Sequence, residues 1–241
     1  MSLTGEVEGT TRGKLPLYVQ LSERLVREIQ AGLLRDGERL APERDMAVAL
    51  GVSVGTLRKA LADLEAKGML QRIQGSGNYI RNQAQVDSIY AFFRLETLAG
   101  GGLPGAEILS MALASPPPGA PHIGHGDKAV RIRRLRQLDE QDAAVEEIYL
   151  DAEYWGQLAG AEVSESLYHF YRETLGLVIA EADDFVSAAE PPAWTPQALR
   201  SHSPATWGFV RRTSRDPAGR TVEYSETWFD PSRVTYAARW R

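Results

Sequence analysis

The 241-residue chain has no cysteine, which excludes a disulfide framework and any thiolate metal site and suits a reducing compartment. It also lacks the run of about 18 apolar residues that a membrane-spanning helix needs. Its opening, MSLTGEVEGT, has no apolar core and is not a signal peptide. These absences lead us to expect a cytoplasmic protein without membrane contact. Excess positive charge is missing too. The net charge is −5, divided as +1 over residues 1–80 and −6 over residues 81–241. Any binding of nucleic acid must therefore come from basic residues arranged on one face rather than from bulk charge. The acidic remainder is expected to stay off phosphates.

Between residues 16 and 81 the pattern is dense. Pro16 is placed to open a helix running to about Ala31, with Leu21, Leu25, Val26 and Ile29 as its core stripe and Gly32 as its stop. Pro42 starts a short helix from Glu43 to Leu50, and Gly51 supplies a turn. Ser53 is a natural N-cap for a third helix that buries Val54, Leu57, Leu61 and Leu64. Two short strands then flank Gln74-Gly75-Ser76-Gly77, a tip at which backbone can lie close to a phosphate or enter the minor groove. This order is that of a winged helix-turn-helix, which lays one helix in the major groove. Arg58 on the third helix is the expected base reader, because its guanidinium can hold guanine through two hydrogen bonds. Ser53, Thr56 and Lys59 are expected on phosphates, Arg44 on the same surface, and Gly75 and Gly77 at the wing.

The stretches PLYVQLSERLVREIQAGLL, GERLAPERDMAVALGVS and VGTLRKALADLEAKGMLQRIQGSGNYI resemble the DNA-binding domain of the GntR family of bacterial transcription regulators. Ala41-Pro42 stands where that family usually has Pro-Ser, which removes a serine cap worth roughly 1 kcal/mol but keeps Glu43 and Arg44.

Asn82 to Ser88 is polar and without period, and is read as a linker. The expected division is a disordered tail (1–15), the winged helix-turn-helix (16–81), the linker (82–88) and a second domain (89–241). That domain contains a repeat. Val130–Arg136 and Phe209–Arg215 are Arg-rich and strand-like, with Arg133-Arg134 over Arg211-Arg212 at an offset of 78. Glu147–Asp151 matches Glu226–Asp230 at an offset of 79. Two similar antiparallel hairpins predict a sheet with pseudo-twofold character. A helix over Ser164–Leu175, a strand over Val178–Ser187 and a short helix within Pro191–Ser203 complete an α+β class, with helices packed on an antiparallel sheet.

Gly102-Leu103-Pro104 with Glu107-Ile108-Leu109, then RIRRLR, VEEIYL, SLYHFYRETLGL and TVEYSETWFDPSR, resemble the ligand-sensing (UTRA) domain of the HutC branch of GntR regulators. The resemblance implies a chorismate-lyase-like fold, dimerisation through this domain, and a small-molecule ligand bearing a phosphate or carboxylate.

Arg134 and Arg136 alternate on one strand and so share a face. Two guanidinium groups there require an anion, or a protein carboxylate such as Glu146 or Asp139. Ser166, at the start of the central helix, can offer a hydroxyl and a backbone N–H, or simply cap it. The resemblance implies that Arg134 and Arg136 bind the anion and that Glu146 and Glu223 are acidic ligand contacts. It also sets Phe93 and Phe229 where sugar-phosphate-binding relatives carry hydroxyl residues, which favours a less polar carboxylate. His122 and His125 lack a third ligand, so no metal and no cofactor is expected.

The reading that accounts for both halves is a transcriptional regulator, expected to be a repressor. Its homodimer would bind double-stranded DNA at a palindromic operator, and a small anionic metabolite would control the affinity. No nucleophile–base constellation is visible and no catalytic residue is assigned. The alternatives are a lyase-like enzyme acting on a small carboxylate, and a DNA-binding regulator that responds to no ligand.

Overall fold

The computed structural model describes residues 7–8, 15–82, 88–201 and 203–239. Most of the expected tail and linker lie outside the described residues. Contacts divide the chain into two units. One comprises 15–103 with 236–241, and the other comprises 104–235 with the N-terminal tail.

In the first unit, α1 spans Leu17–Ala31, α2 Glu43–Ala49 and α3 Val54–Ala66. The Ser53 hydroxyl accepts the Thr56 N–H at 3.1 Å and so caps α3. No side chain caps α2, as the presence of Pro42 in place of the family's serine predicts. A two-stranded wing follows, β2 (Leu70–Ile73) against β3 (Gly77–Ile80). Leu25, Val26, Ile29, Leu57, Leu61, Leu64, Met69 and Ile80 close one core beneath these elements.

Burial of α1 extends beyond its apolar stripe, because Glu23 and Arg27 are buried as well. Arg27 donates to the backbone carbonyls of Gly102 (2.5 Å), Phe93 (3.3 Å), Gly101 (3.5 Å) and Leu95. Its guanidinium also lies over the Phe93 ring, 5.1 Å from the centroid. Glu23 accepts from the Ser88 hydroxyl and from Lys67 Nζ, both at 2.6 Å. Residues 88–103, with β4 (Leu95–Thr97), therefore pack on the winged helix, although the sequence places them from 89 onward in the second domain. The reason is electrostatic: a buried guanidinium requires acceptors, and this segment's carbonyls supply them. Arg239 joins the same unit through a two-pronged pair with Glu96, at 2.6 and 2.9 Å.

The second unit is built on a seven-stranded sheet. Its strands are β1 (Val7–Glu8), β5 (Pro104–Ala114), β6 (Ala129–Leu138), β7 (Gln141–Asp151), β8 (Glu181–Ala189), β9 (Trp207–Arg215) and β10 (Thr221–Phe229), in the spatial order β1-β5-β6-β7-β10-β9-β8. Every described pairing is antiparallel. The repeat appears as two hairpins, β6–β7 and β9–β10, lying side by side. Glu147 faces Glu226 directly, so the pseudo-twofold passes between them. The first hairpin turns on two residues with positive φ, Asp139 (48°) and Glu140 (63°). The second has a longer turn closed by Asp216, and a register shift follows between Thr221 and Glu223. The first hairpin has the matching shift between Arg136 and Gln137, so the extra residue of the second repeat is taken up by its longer turn.

The helix expected over 164–175 is shorter. The Ser166 side chain caps α5 (Leu167–Phe170), and a π-helical turn, Tyr171–Leu175, continues it. Short helices α4 (Trp155–Leu158) and α6 (Gln197–Arg200) complete the unit. One sheet face packs Leu135, Val145, Trp207 and Trp228 against Leu199 and Trp194. Beside them, Ile123 of the proline-rich loop covers Ala129, Tyr149 and Tyr224. This places the Ser115–Gly126 loop on the sheet face opposite to Arg134 and Arg136.

Candidate nucleic-acid interface and ligand site

On the first unit, Arg44, Ser53, Arg58, Lys59, Gly75 and Gly77 are exposed and Thr56 is half-buried. The expected phosphate donors are partly engaged with each other, since the Ser53 and Thr56 hydroxyls lie 2.9 Å apart. Arg58 Nε lies 2.6 Å from Glu43, and Arg72 approaches the same carboxylate at 3.9 Å. The hydrogen bond from Arg58 outweighs burial and holds the Glu43 carboxyl below its usual range. Glu43 thus fixes where Arg58 points, while Arg44 and Lys59 project freely into solvent beside it.

A groove of about 410 Å³ separates the 39–43 segment from the wing, lined by Arg39, Glu43, Arg72 and the Gly75–Gly77 tip. The tip needs its glycines, with φ of 73° at Gly75 and 126° at Gly77. A side chain at Gly77 would press on the Arg39 guanidinium at 3.2 Å. Sequence reasoning missed Arg39, which sits in an irregular segment where periodicity says nothing. Its signal was its place in GERLAPER, between the first helix and the Glu43–Arg44 pair that opens the second.

In the second unit, strand alternation sets Arg134, Arg136, Glu146, Glu223, Thr227 and Phe229 on one sheet face. Both arginines and Glu223 are buried. Arg134 donates to Glu146 at 2.5 and 3.1 Å, and Arg136 reaches the same oxygen at 3.7 Å. Burial pushes the Glu146 carboxyl up, but Arg134 and Arg136 outweigh it and hold the group below its ordinary range. Arg134 also points to the Glu165 carbonyl, at 3.5 Å, so the 164–166 segment borders the site. Ser166 is present there, with its hydroxyl on the His169 N–H at 3.4 Å.

Glu223 lies in a different setting. It accepts from Tyr168 (2.8 Å), Tyr171 (2.8 Å) and Ser214 (3.0 Å). Burial raises its pKa; the tyrosine hydroxyls oppose the rise, and the charge of Glu146 adds to it. The site therefore has an ionised, arginine-bound carboxylate at one end. At the other is a carboxyl whose pKa burial raises, ringed by the hydroxyls of Tyr168, Tyr171 and Ser214.

Sequence reasoning missed Tyr168, Tyr171, Ser214 and Arg212. Arg212 pairs with Asp184 through two bonds, of 2.5 and 2.6 Å, on the same face. The repeat carried a signal for it, because Arg212 is the 78-residue counterpart of Arg134. Phe229 faces this side too, its ring lying over Gly208, where any Cβ would fall inside it. Phe93 belongs to the first unit, under Arg27, and gives no support to the less polar pocket inferred from it. Among the described residues no group of His, Cys, Asp and Glu could hold a metal.

A three-helix winged module and an antiparallel sheet with a buried arginine–carboxylate site define a class, that of DNA-binding regulators with a sensing domain. Residues 17–80 match the family described as bacterial regulatory proteins, gntR family, and residues 100–235 match the UTRA domain. The chain belongs to the GntR-type regulators that carry a UTRA domain, an architecture consistent with the HutC branch.

Among its relatives, the HTH-type transcriptional regulator SmoD of Agrobacterium fabrum is 47% identical over 231 residues, covering 96% of this chain and 99% of that protein. The mannosyl-D-glycerate transport/metabolism system repressor MngR of Escherichia coli is 25% identical, covering 90% and 93%. The crystal structure of the possible regulator YydK from Bacillus subtilis has the same fold, with a TM-score of 0.54, 20% identity and coverage of 94% and 100%. The chain is therefore a transcriptional regulator with a DNA-binding half and a ligand-binding half. Its families and relatives are regulators, not enzymes, and the lyase alternative falls with them. Among the described residues no helix is long and apolar enough to cross a membrane.

Proposed function

We propose that the protein is a homodimeric repressor whose affinity for a palindromic operator is set by a small anionic metabolite held between Arg134, Arg136, Glu146 and Glu223. The observation that carries this reading is the convergence of two buried guanidinium groups on the single carboxylate of Glu146. Such groups bind a carboxylate or phosphate through charge-assisted, two-pronged hydrogen bonds. The hydroxyls of Tyr168, Tyr171 and Ser214 around Glu223 favour a ligand whose body carries hydrogen-bonding groups. Phe229 lines the far end and Ser166 the helix side. Relatives named as repressors support the sign of regulation. On the DNA side, Arg58 reads bases, Arg44, Ser53, Thr56 and Lys59 hold phosphates, and the Gly75–Gly77 tip follows the backbone. The protein acts in the cytoplasm.

Fluorescence anisotropy on the chain's own upstream DNA, with a panel of small carboxylates and phosphates, tests the proposal. One anion should weaken specific binding, and Arg134→Ala with Arg136→Ala should keep operator affinity but lose that response. Specific binding that no anion moves would overturn the ligand half of the reading.

A further inference from the structure

Residues 37–40 lie against β3 as a third member of the wing. The Gly37 N–H donates to the Ile80 carbonyl, the Ile80 N–H to that of Glu38 and the Leu40 N–H to that of Asn78, each at 2.9 Å. Arg39 therefore stands opposite Tyr79 in an antiparallel bridge. Alternation fixes its direction: Leu40 is buried in the core, so Arg39 points outward and is exposed. Its Nε reaches the tip of the wing, 3.2 Å from where a Cβ on Gly77 would stand. The tip is held in turn by the Ser76 and Tyr79 hydroxyls, 2.7 Å apart.

The acids of this surface are engaged elsewhere. Glu43 holds Arg58 at 2.6 Å and faces Arg72 at 3.9 Å, Glu65 holds Arg72 at 2.9 Å, and Glu38 accepts the Arg35 backbone N–H at 2.9 Å. Among the described residues none gives the Arg39 guanidinium a hydrogen bond or an ion pair. It is a cation fixed in place against a hairpin tip, with its charge unmet.

We propose that Arg39 enters the minor groove of the DNA together with the wing tip and reads its width, so that the operator favours A·T base pairs adjoining each half-site. The inference rests on the DNA-binding reading above and adds a contact which that reading does not contain. A minor groove about 6 Å wide admits only a thin probe, and Gly75-Ser76-Gly77 is thin. With no side chain at Gly77, the guanidinium lies beside the tip, so what the tip enters, Arg39 enters as well. A·T tracts narrow the groove and concentrate negative potential there, which draws arginine in. A guanidinium also sheds its hydration more readily than an ammonium. A phosphate contact would need the charge alone and would be blind to sequence.

The test uses the full chain on the upstream DNA segment that it binds specifically, with the base pairs adjoining each half-site exchanged to A·T, G·C or inosine·cytosine. Inosine lacks the guanine N2 amino group, so its pair with cytosine presents the A·T pattern in the minor groove and the G·C pattern in the major groove. In anisotropy titrations the wild type should bind the A·T and inosine·cytosine probes alike and the G·C probe about 5-fold or more weakly, the lower end of one base-pair preference. Arg39→Ala should bind all three alike, at the level of the G·C probe. Arg58→Ala should lose discrimination within the half-site and keep the flanking preference. A wild type indifferent to the flanks overturns the inference. So does an Arg39→Ala variant that keeps the preference, or one in which all three probes weaken by the same factor, the mark of a phosphate contact. Specific binding without flanking preference sinks Arg39 alone, whereas a wild type that binds no segment specifically sinks the DNA-binding reading on which it rests.

Discussion

Single side chains divide the labour at both sites, and their environments differ enough to be tested one at a time. Arg58→Ala should cost roughly 1–3 kcal/mol on the operator and little on random DNA, by losing a two-pronged base contact. Lys59→Ala should weaken both alike and lower the slope of log K against log salt by about 0.9. Competition titrations at several salt concentrations distinguish the two, and equal losses for Arg58→Ala would sink its role. At the ligand site pH is the probe. Glu146 has a folded pKa below its ordinary 4.5, so its contribution to stability is complete above pH 4.5 and fades as the pH falls through the lowered value. Glu146→Gln should accordingly cost roughly 3 kcal/mol near neutrality, because two buried guanidinium groups lose their carboxylate. The gap to wild type should narrow below pH 4.5. Glu223 has the opposite sign. Its pKa is raised, so it costs stability as the pH climbs from 4.5 through the raised value, and Glu223→Gln should gain on wild type over that climb. Urea unfolding at a series of pH values measures both trends.

At the scale of elements, α1 and its passenger segment form one cooperative piece. Arg27 holds residues 88–103 by their carbonyls, and Glu23 holds Ser88 while also gripping Lys67 at the end of α3. Arg27→Met keeps the aliphatic packing and leaves those acceptors unmet, at a cost of about 3 kcal/mol. Hydrogen exchange should show amides in 93–103 opening first, with α3 amides following only on global unfolding. Unchanged protection in 93–103 would mean that the carbonyl contacts contribute nothing. The chain leaves this piece at Leu103 to begin β5 at Pro104, and returns to it at Tyr236. The two units are thus covalently joined at both of these points. In the other unit, Gly208→Val would displace the Phe229 ring from its seat, and such overpacking costs about 1–3 kcal/mol. On the proposed reading, in which the ring lines the ligand site, the operator response of that variant should shift to a different member of the anion panel.

For the molecule as a whole, the regulator reading requires that DNA and ligand exchange free energy. A coupling of about 1–3 kcal/mol, or 5–150-fold, is typical, and it must be reciprocal. The factor by which an anion weakens operator binding should equal the factor by which operator DNA weakens anion binding. Unequal factors in paired calorimetric titrations would show that the two events are not linked through one equilibrium. Much of the scaffold for this was legible in the linear chain. Helix periods, Pro and Gly stops and the Ser53 cap are local signals, and they marked α1, α2, α3 and the wing. Strand alternation put Arg134 and Arg136 on one face, and the 78-residue repeat disclosed the paired hairpins and, in Arg212, a member of the site that only the fold identified. What local signals could not carry were contacts set by burial across long separations. The hydroxyls of Tyr168 and Tyr171 meet Glu223 more than 50 positions away, and helix α5 shortened because Ser166 caps it from within the expected span. Composition and period determined which segments become helix or strand and which face turns inward. Only the tertiary structure decided which buried charge finds which partner. An unpaired charge in a low-dielectric interior must be matched by whatever acceptor the fold brings near, and that neighbour is seldom close in sequence.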